Sequence, residues 1–264
     1  MTKEWDLIVI GGGHAGIEAS LAARREGCRV LLISAKLVRI GEMSCNPSIG
    51  GIAKGTIVRE VDSLDGSMAK SADATRLHFR MLNRKKGPAV WGPRVQSDAA
   101  AYAAAQQNYL IQEGIVLLED EVTGLNGPTE RVSGVKCRKN GVIKGKAVVI
   151  AAGTFLKGRL FRGLETWRGG RIGDISAELL EEDLARRMFH VERFKTGTPA
   201  RIVQKSVNTG DLEEQPSEES DFRFSFDESV IPEISVKCFT TNTGKKTMDI
   251  AKDYLHLSPL MQEG

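Results

Sequence analysis

Apolar and polar positions along the chain alternate between short buried-type runs and stretches of helical period. Leu7-Ile8-Val9-Ile10 is apolar without a break, the pattern of a strand covered on both faces. The turn Gly11-Gly12-Gly13-His14-Ala15-Gly16 separates it from residues 17–27, which are rich in alanine and read as helix. Residues 28–33 return to a buried parallel strand, so the chain opens strand, loop, helix, strand. Residues 52–64 put Ile57, Val58, Val61 and Leu64 at helical spacing, and Ser97 is expected to cap a helix over 98–113 that stops at Gly114. Over 115–146 the period becomes that of strands. Asn126-Gly127 and Asn140-Gly141 are turn signals, which predicts a three-stranded meander. Ala147-Val148-Val149-Ile150 follows as a buried strand ending in Ala151-Ala152-Gly153-Thr154. Ser176 is expected to cap a helix from 177 to about 189, with Leu180, Leu184 and Met188 on one face. Beyond residue 202 the pattern fades, with one further strand expected at 237–241.

The spacing of Gly11, Gly13 and Gly16 gives the first loop a chemistry. One glycine makes a tight bend, one lets a pyrophosphate approach the backbone, and one lets the helix pack on the sheet. The strand-loop-helix-strand context makes dinucleotide binding a better reading than a plain turn. Ser34 ends the second strand where an acidic residue would hold a ribose, so a hydroxyl must serve or the ribose is held elsewhere. If the strand ending at Ile150 returns to the same sheet, Gly153 lies beside the Gly11 loop.

Length and composition fit this picture. With 264 residues and 41% hydrophobic positions the chain can form one large domain or two modest ones. No apolar run approaches the roughly 18 residues of a membrane helix, and the N-terminus has no signal or transit pattern, so a cytoplasmic protein without a membrane partner is expected. The four cysteines are widely separated, which argues against a disulfide framework or a metal site.

Net charge is only +3, but it is unevenly placed: residues 76–94 hold six Lys/Arg and no carboxylate, whereas 211–228 hold eight carboxylates and one arginine. Arg80, Arg84, Lys85, Lys86 and Arg94, with Trp91 among them, could contact phosphates and stack on a base; a solvated basic face explains the charge equally well. The acidic stretch reads as a flexible surface loop. Cys45 lies in a loop of small and polar residues before a helix. The helix N-terminus and Lys54 would favour a nucleophilic thiolate there, and a buried, inert thiol is the competing reading. Residues 195–201 (Lys-Thr-Gly-Thr-Pro-Ala-Arg) suit phosphate or substrate contact, or a plain turn.

Six segments taken together carry a resemblance: GGGHAG at 11–16, MSCNPSIGG at 43–51, KGPAV at 86–90, AAGTFL at 151–156, GGRIGD at 169–174 and KTGTP at 195–199. In this order they resemble the MnmG (GidA) family of tRNA uridine 5-carboxymethylaminomethyl modification enzymes, over nearly the whole chain. The resemblance implies an α/β fold: a Rossmann-like FAD-binding domain of the two-dinucleotide-binding flavoprotein type, with a β-meander. Residues 1–201 would form an incomplete FAD-binding domain and 202–264 the start of an inserted α/β domain. It implies FAD as cofactor, NADH and methylenetetrahydrofolate as co-substrates, tRNA as substrate, the GTPase MnmE as partner and a homodimer. Gly11, Gly12, Gly13, His14, Ala15 and Gly16 would hold the pyrophosphate, Val122 and Ser176 would sit at further flavin positions, and Cys45 would be one of the family's two important cysteines. Family members are more than twice as long, so an N-terminal fragment or truncated form is expected, with the second cysteine outside it. The competing readings are a folate- and FAD-dependent tRNA methyltransferase, a flavin reductase, or a non-catalytic FAD-binding module.

Overall fold

The computed structural model describes residues 4–44, 46–218, 221–227, 231–233, 236–258 and 261. Strand β1 (Trp5–Ile10) runs into helix α1 (His14–Arg25) and strand β2 (Val30–Ser34), as the hydrophobic pattern predicts. A short strand β3 (Ser48–Gly50), helices α2 (Ile52–Ser63) and α3 (Met68–Ala74), and strands β4 (Arg76–Leu82) and β5 (Gly92–Ser97) come next. Helix α4 (Ala99–Gln112) leads into strands β6 (Val116–Glu119), β7 (Val122–Asn126), β8 (Gly134–Cys137) and β9 (Gly141–Ile150). The remainder holds a hairpin, β10 (Arg159–Arg162) with β11 (Glu165–Arg168), helix α5 (Glu178–Arg186), strands β12 (Glu213–Gln215) and β13 (Cys238–Thr240), and helix α6 (Lys245–Tyr254).

The main sheet has the order β6-β2-β1-β9-β8-β7. β1 pairs in parallel with β2 on one side and with the end of β9 on the other, Ile10 opposite Ile33 and Ile150. The return of β9 beside β1 meets the expectation that its carboxyl end lies next to the Gly11 loop. The meander differs from its predicted form. β6 pairs in parallel with β2, so the strand period over 115–119 belongs to the parallel sheet. The meander is β7-β8-β9, and β9 is a single strand that leaves the hairpin at Gly141 and joins β1 from Gly145 onward.

The alternation within β1 and β2 divides the core in two. Val9, Val30 and Leu32 face Ile17, Leu21 and Leu110, whereas Ile8, Ile10, Leu31 and Ile33 face Val122, Leu125, Leu180 and Leu184. The layered arrangement is thus α1 and α4 on one face and the meander with α5 on the other. A third core gathers Ile49, Val58, Phe79, Val95, Tyr102 and Phe224 around the antiparallel sheet β3-β5-β4. Of the four apolar positions read as one helix face, Val58 is fully buried, whereas Ile57 and Leu64 are 56% and 75% exposed.

Two caps fall elsewhere than the sequence predicts. α4 is capped by Asp98, whose Oδ1 accepts from the Ala100 and Ala101 amides at 2.9 and 3.0 Å, while Ser97 ends β5. α5 has no side-chain cap and ends at Arg186; the Ser176 hydroxyl donates to the Phe155 carbonyl at 3.3 Å. The acidic stretch also departs from expectation. It contains β12, which pairs with β13, and the Phe224 side chain has no exposure at all. Asp73 accepts from the amides of Phe224 and Ser225, Asp62 accepts from that of Phe226, and Arg76 and Arg59 donate to the carbonyls of 222, 223 and 224. Four charged side chains thereby satisfy the backbone of this segment, which is bound in place along α2, α3 and β4.

Candidate functional site

The carboxyl ends of β1, β2 and β9 open into a cavity of about 400 Å³, within the size range of small-molecule sites. Gly11, Gly12, Gly13 and His14 form one wall, Ser34 and Lys36 another, and Ala151 to Phe155 a third. Gly11 has φ +105°, a conformation open to glycine, and its amide donates to the Ile33 carbonyl at 2.9 Å. Gly12 accepts from the Gly41 amide at 2.9 Å, which draws the loop after β2 toward the same cavity.

The glycines differ in what their missing side chains would meet. At Gly16 a Cβ would overlap the Gly11 carbonyl oxygen, so this residue sets the packing of α1 against the turn. At Gly13, the N-cap of α1, a Cβ would meet no protein atom within 4 Å. No side chain caps α1 and no acidic residue sits in its first turn. Its first amides and the positive end of its dipole therefore lie at the cavity wall without a protein counter-charge, the arrangement that suits a phosphate.

His14 adds a neutral group at that wall. Burial, with the Lys54 charge adding to it, brings its pKa down to about 4, so the imidazole is uncharged at neutral pH. Its Nε2 is buried without a hydrogen-bond partner, as is the Tyr102 hydroxyl, and the two rings lie 5.6 Å apart. His14 itself lines the cavity, but this ring nitrogen is closed off from it and is left as an unsatisfied buried polar atom.

Sequence reasoning missed an ionic network around the cavity mouth. Arg171 contacts Glu42 at 3.0 Å and Asp174 at 3.0 Å, Glu42 also pairs with Arg39 at 2.8 Å, and Lys36 holds the other Asp174 oxygen at 2.6 Å. Burial would raise the Asp174 carboxyl, but Lys36 and Arg171 outweigh it and hold it below the usual range. The network joins the loop after β2 to the glycine-rich loop 169–174. The arginine in GGRIGD was its only sequence signal. Asp120, also at the wall, accepts from Glu121, Lys139 and Asn140 amides and from the Asn140 side chain, so its oxygens are spent on the meander turn.

The other sequence-predicted residues sort as follows. Ser34, Val122, Gly153 and Ser176 line the cavity with Gly11 to His14. Ala15 sits exposed on the first turn of α1 and Gly16 is buried beneath Gly11. The Ser34 hydroxyl donates to the Lys36 carbonyl at 3.2 Å. Cys45 lies outside the described residues; Ser44 and Asn46, before and after it in sequence, both line the cavity. Arg80, Arg84, Lys85 and Lys86 are on β4 and the turn after it and do not line the cavity. Arg94, on β5, reaches Ser48 Oγ at 3.5 Å, at the cavity's edge. Residues 195–201 are exposed, belong to no helix or strand, and do not line the cavity. Cys137 is pushed up to about 11 by burial, with Asp120 adding to it, so its thiol stays protonated.

No helix among the described residues is long and apolar enough to cross a membrane. Comparison with known proteins places these features in context. The family model described as glucose inhibited division protein A matches residues 6–264. The tRNA uridine 5-carboxymethylaminomethyl modification enzyme MnmG of Treponema denticola is 41% identical over 98% of this chain, and that of Chlorobaculum tepidum is 44% identical over 97%. The chain spans 43% and 42% of their lengths, respectively. Among solved structures, Aquifex aeolicus GidA in its form I crystal superposes with a TM-score of 0.92 at 39% identity, over 99% of this chain and 45% of that one.

Proposed function

Since this chain belongs to the glucose inhibited division protein A family, we propose that it holds FAD in the cavity at the ends of β1, β2 and β9 and serves modification of a tRNA uridine at C5. The observation that carries the cofactor reading is the open cradle at Gly13: a helix start without cap or counter-charge, beside a glycine whose missing side chain leaves room for a pyrophosphate. The substrate reading rests on the relatives, whose names state tRNA uridine modification.

In this reading the amides at the start of α1 hold the pyrophosphate, with Gly11, Gly12 and Gly13 as its floor. Ser34, Val122, Gly153 and Ser176 bound the remaining volume. His14 stays neutral at the cavity wall. Lys54 and Arg171 supply positive charge along the wall. When bound, the flavin supplies the redox chemistry needed to deliver a one-carbon unit. The chain's own nucleophile is Cys45: C5 of uridine is a poor nucleophile until a group adds at C6, and a thiolate Sγ is the side chain suited to that addition. C5 then bonds the one-carbon electrophile, whose leaving group departs, and loss of the C5 proton to a base with expulsion of the thiolate from C6 restores the ring.

The finer parts of the proposal are NADH as reductant, methylenetetrahydrofolate as one-carbon donor, the GTPase MnmE as partner, a homodimer, a cytoplasmic location, and tRNA contact through Arg80, Arg84, Lys85, Lys86 and Arg94. Residues 1–201 act as an incomplete FAD-binding domain and 202–264 as the start of an inserted α/β domain. The deciding experiment is an absorption spectrum of the purified protein with and without added FAD, followed by mass analysis of tRNA nucleosides. Bound flavin in both the parent and Cys45→Ser, with modification lost only in the variant, supports the proposal. A protein that takes up no flavin refutes it.

A further inference from the structure

The acidic segment and the basic hairpin, which looked unrelated in sequence, meet at one carboxylate. Glu218 Oε1 lies 3.3 Å from Arg80 Nε, and Oε2 accepts from Arg84 Nε and Nη2 at 3.0 and 2.8 Å. The backbone fixes Glu218 in this place. Its amide donates to the Phe79 carbonyl at 3.0 Å, and the Phe79 amide donates to Ser217 Oγ at 3.0 Å, so residues 217–218 lie along the free edge of β4. Arg84 also stands 5.3 Å from the Trp91 ring centre, and the Trp91 indole N–H donates to the Arg84 carbonyl at 3.2 Å. Trp91 remains 42% exposed, and Lys85 and Lys86 project from the same exposed turn.

Two guanidiniums converging on two oxygens of one anion form a phosphate-type receptor. Lysines beside it can neutralise a neighbouring phosphate, and an exposed indole braced by an arginine can stack on a base. The Arg80 and Arg84 side chains are 37% and 49% exposed and that of Glu218 is 20% exposed, and ion pairs open to solvent on one side are weak enough to exchange. We propose that Glu218 occupies the place of an RNA phosphate on Arg80 and Arg84, and that this hairpin binds single-stranded RNA by exchanging that carboxylate for a phosphate while Trp91 stacks on a base. The inference rests on the proposed tRNA function and adds to it a surface, a class of contact and a residue that opposes binding. Glu218 thereby disfavours weak anions: a ligand must offer both a phosphate and a stacking base to displace it.

The test measures binding of a labelled oligouridylate and of a tRNA anticodon stem-loop to the intact protein across a salt series, for wild type, Glu218→Gln, Arg84→Gln, Trp91→Ala and Glu218→Gln/Arg84→Gln. Removing the competing carboxylate should tighten both RNAs roughly three- to tenfold, as expected for displaced exposed ion pairs. The double variant should lose that gain, and Trp91→Ala should weaken binding. In Arg84→Gln the slope of log affinity against log salt should become shallower by about 0.7, because one single-strand phosphate is no longer neutralised. Unchanged or weaker binding by a folded Glu218→Gln protein overturns the inference, as does an equal gain for polyglutamate or no RNA binding by any form. A protein that leaves tRNA unmodified yet shows the gain on oligouridylate refutes the functional reading alone, whereas modification without the gain refutes this inference alone.

Discussion

Gly16 packs against the carbonyl oxygen of Gly11, so closely that a Cβ at position 16 would overlap that atom. The contact joins the first turn of α1 to the end of β1 and thereby fixes the loop between them. Gly16→Ala should destabilise the protein by at least about 1–3 kcal/mol, the cost of overpacking a site whose neighbour is backbone and cannot swing aside. Urea denaturation with and without FAD would measure it. Equal loss in both conditions is expected, because the clash exists before any ligand arrives.

Gly13 should behave in the opposite way. Its φ of −80° is open to any residue, and the space that a Cβ would enter holds no protein atom within 4 Å. Gly13→Ala is therefore expected to leave the unfolding midpoint without ligand nearly unchanged and to lower FAD affinity at least about tenfold, because the added methyl occupies the place proposed for the pyrophosphate. Flavin titration followed by fluorescence distinguishes the two glycines. Equal affinity of Gly13→Ala and the parent would move the pyrophosphate away from this loop.

Asp98 rather than Ser97 carries the start of α4. Asp98→Ala should cost about 1 kcal/mol through loss of the two amide partners. Ser97→Ala should cost less, since its buried hydroxyl has no hydrogen-bond partner and the alanine removes an unsatisfied group. Chemical denaturation of the two variants side by side checks the order.

This pair of residues also shows where the sequence stops being readable. Both are good cap residues and adjacent; Ser97 still pairs with Arg76 in the β5–β4 ladder, so Asp98, with ψ 114°, is the last residue before the helix and takes the cap. The parallel strands were legible because unbroken apolar runs such as 7–10 and 30–33 have few alternatives. Those same runs conceal their partners, so nothing local assigned Val116 to β2 rather than to the meander. The acidic stretch misled because charge dominates its composition, while Phe222 and Phe224 within it pack against the core around Phe79. The cavity's glycine wall was readable from spacing. Its ionic rim was not, because Lys36, Glu42 and Arg171 come from segments up to 135 residues apart that only the fold joins.

His14 should leave a mark on stability as a function of pH. Its folded-state pKa of about 4 lies below the ordinary value of 6.5, because burial disfavours the imidazolium. Between these values the unfolded chain binds a proton at His14 that the folded chain does not, so stability rises with pH through this window and levels off above about 6.5. As pH falls, protonation of the unfolded state removes up to about 3 kcal/mol by pH 4, below which the loss from this group saturates. His14→Asn abolishes that titration while keeping a polar side chain at the cavity wall. Urea midpoints measured between pH 4 and 7 should therefore fall less steeply with acid for the variant than for the parent. Parallel curves would show that His14 is not the buried neutral group its surroundings require. Because His14 lines the cavity, bound FAD should also shift this pH dependence, and a flavin-loaded protein whose curve matches the unloaded one would place His14 outside the cofactor's reach.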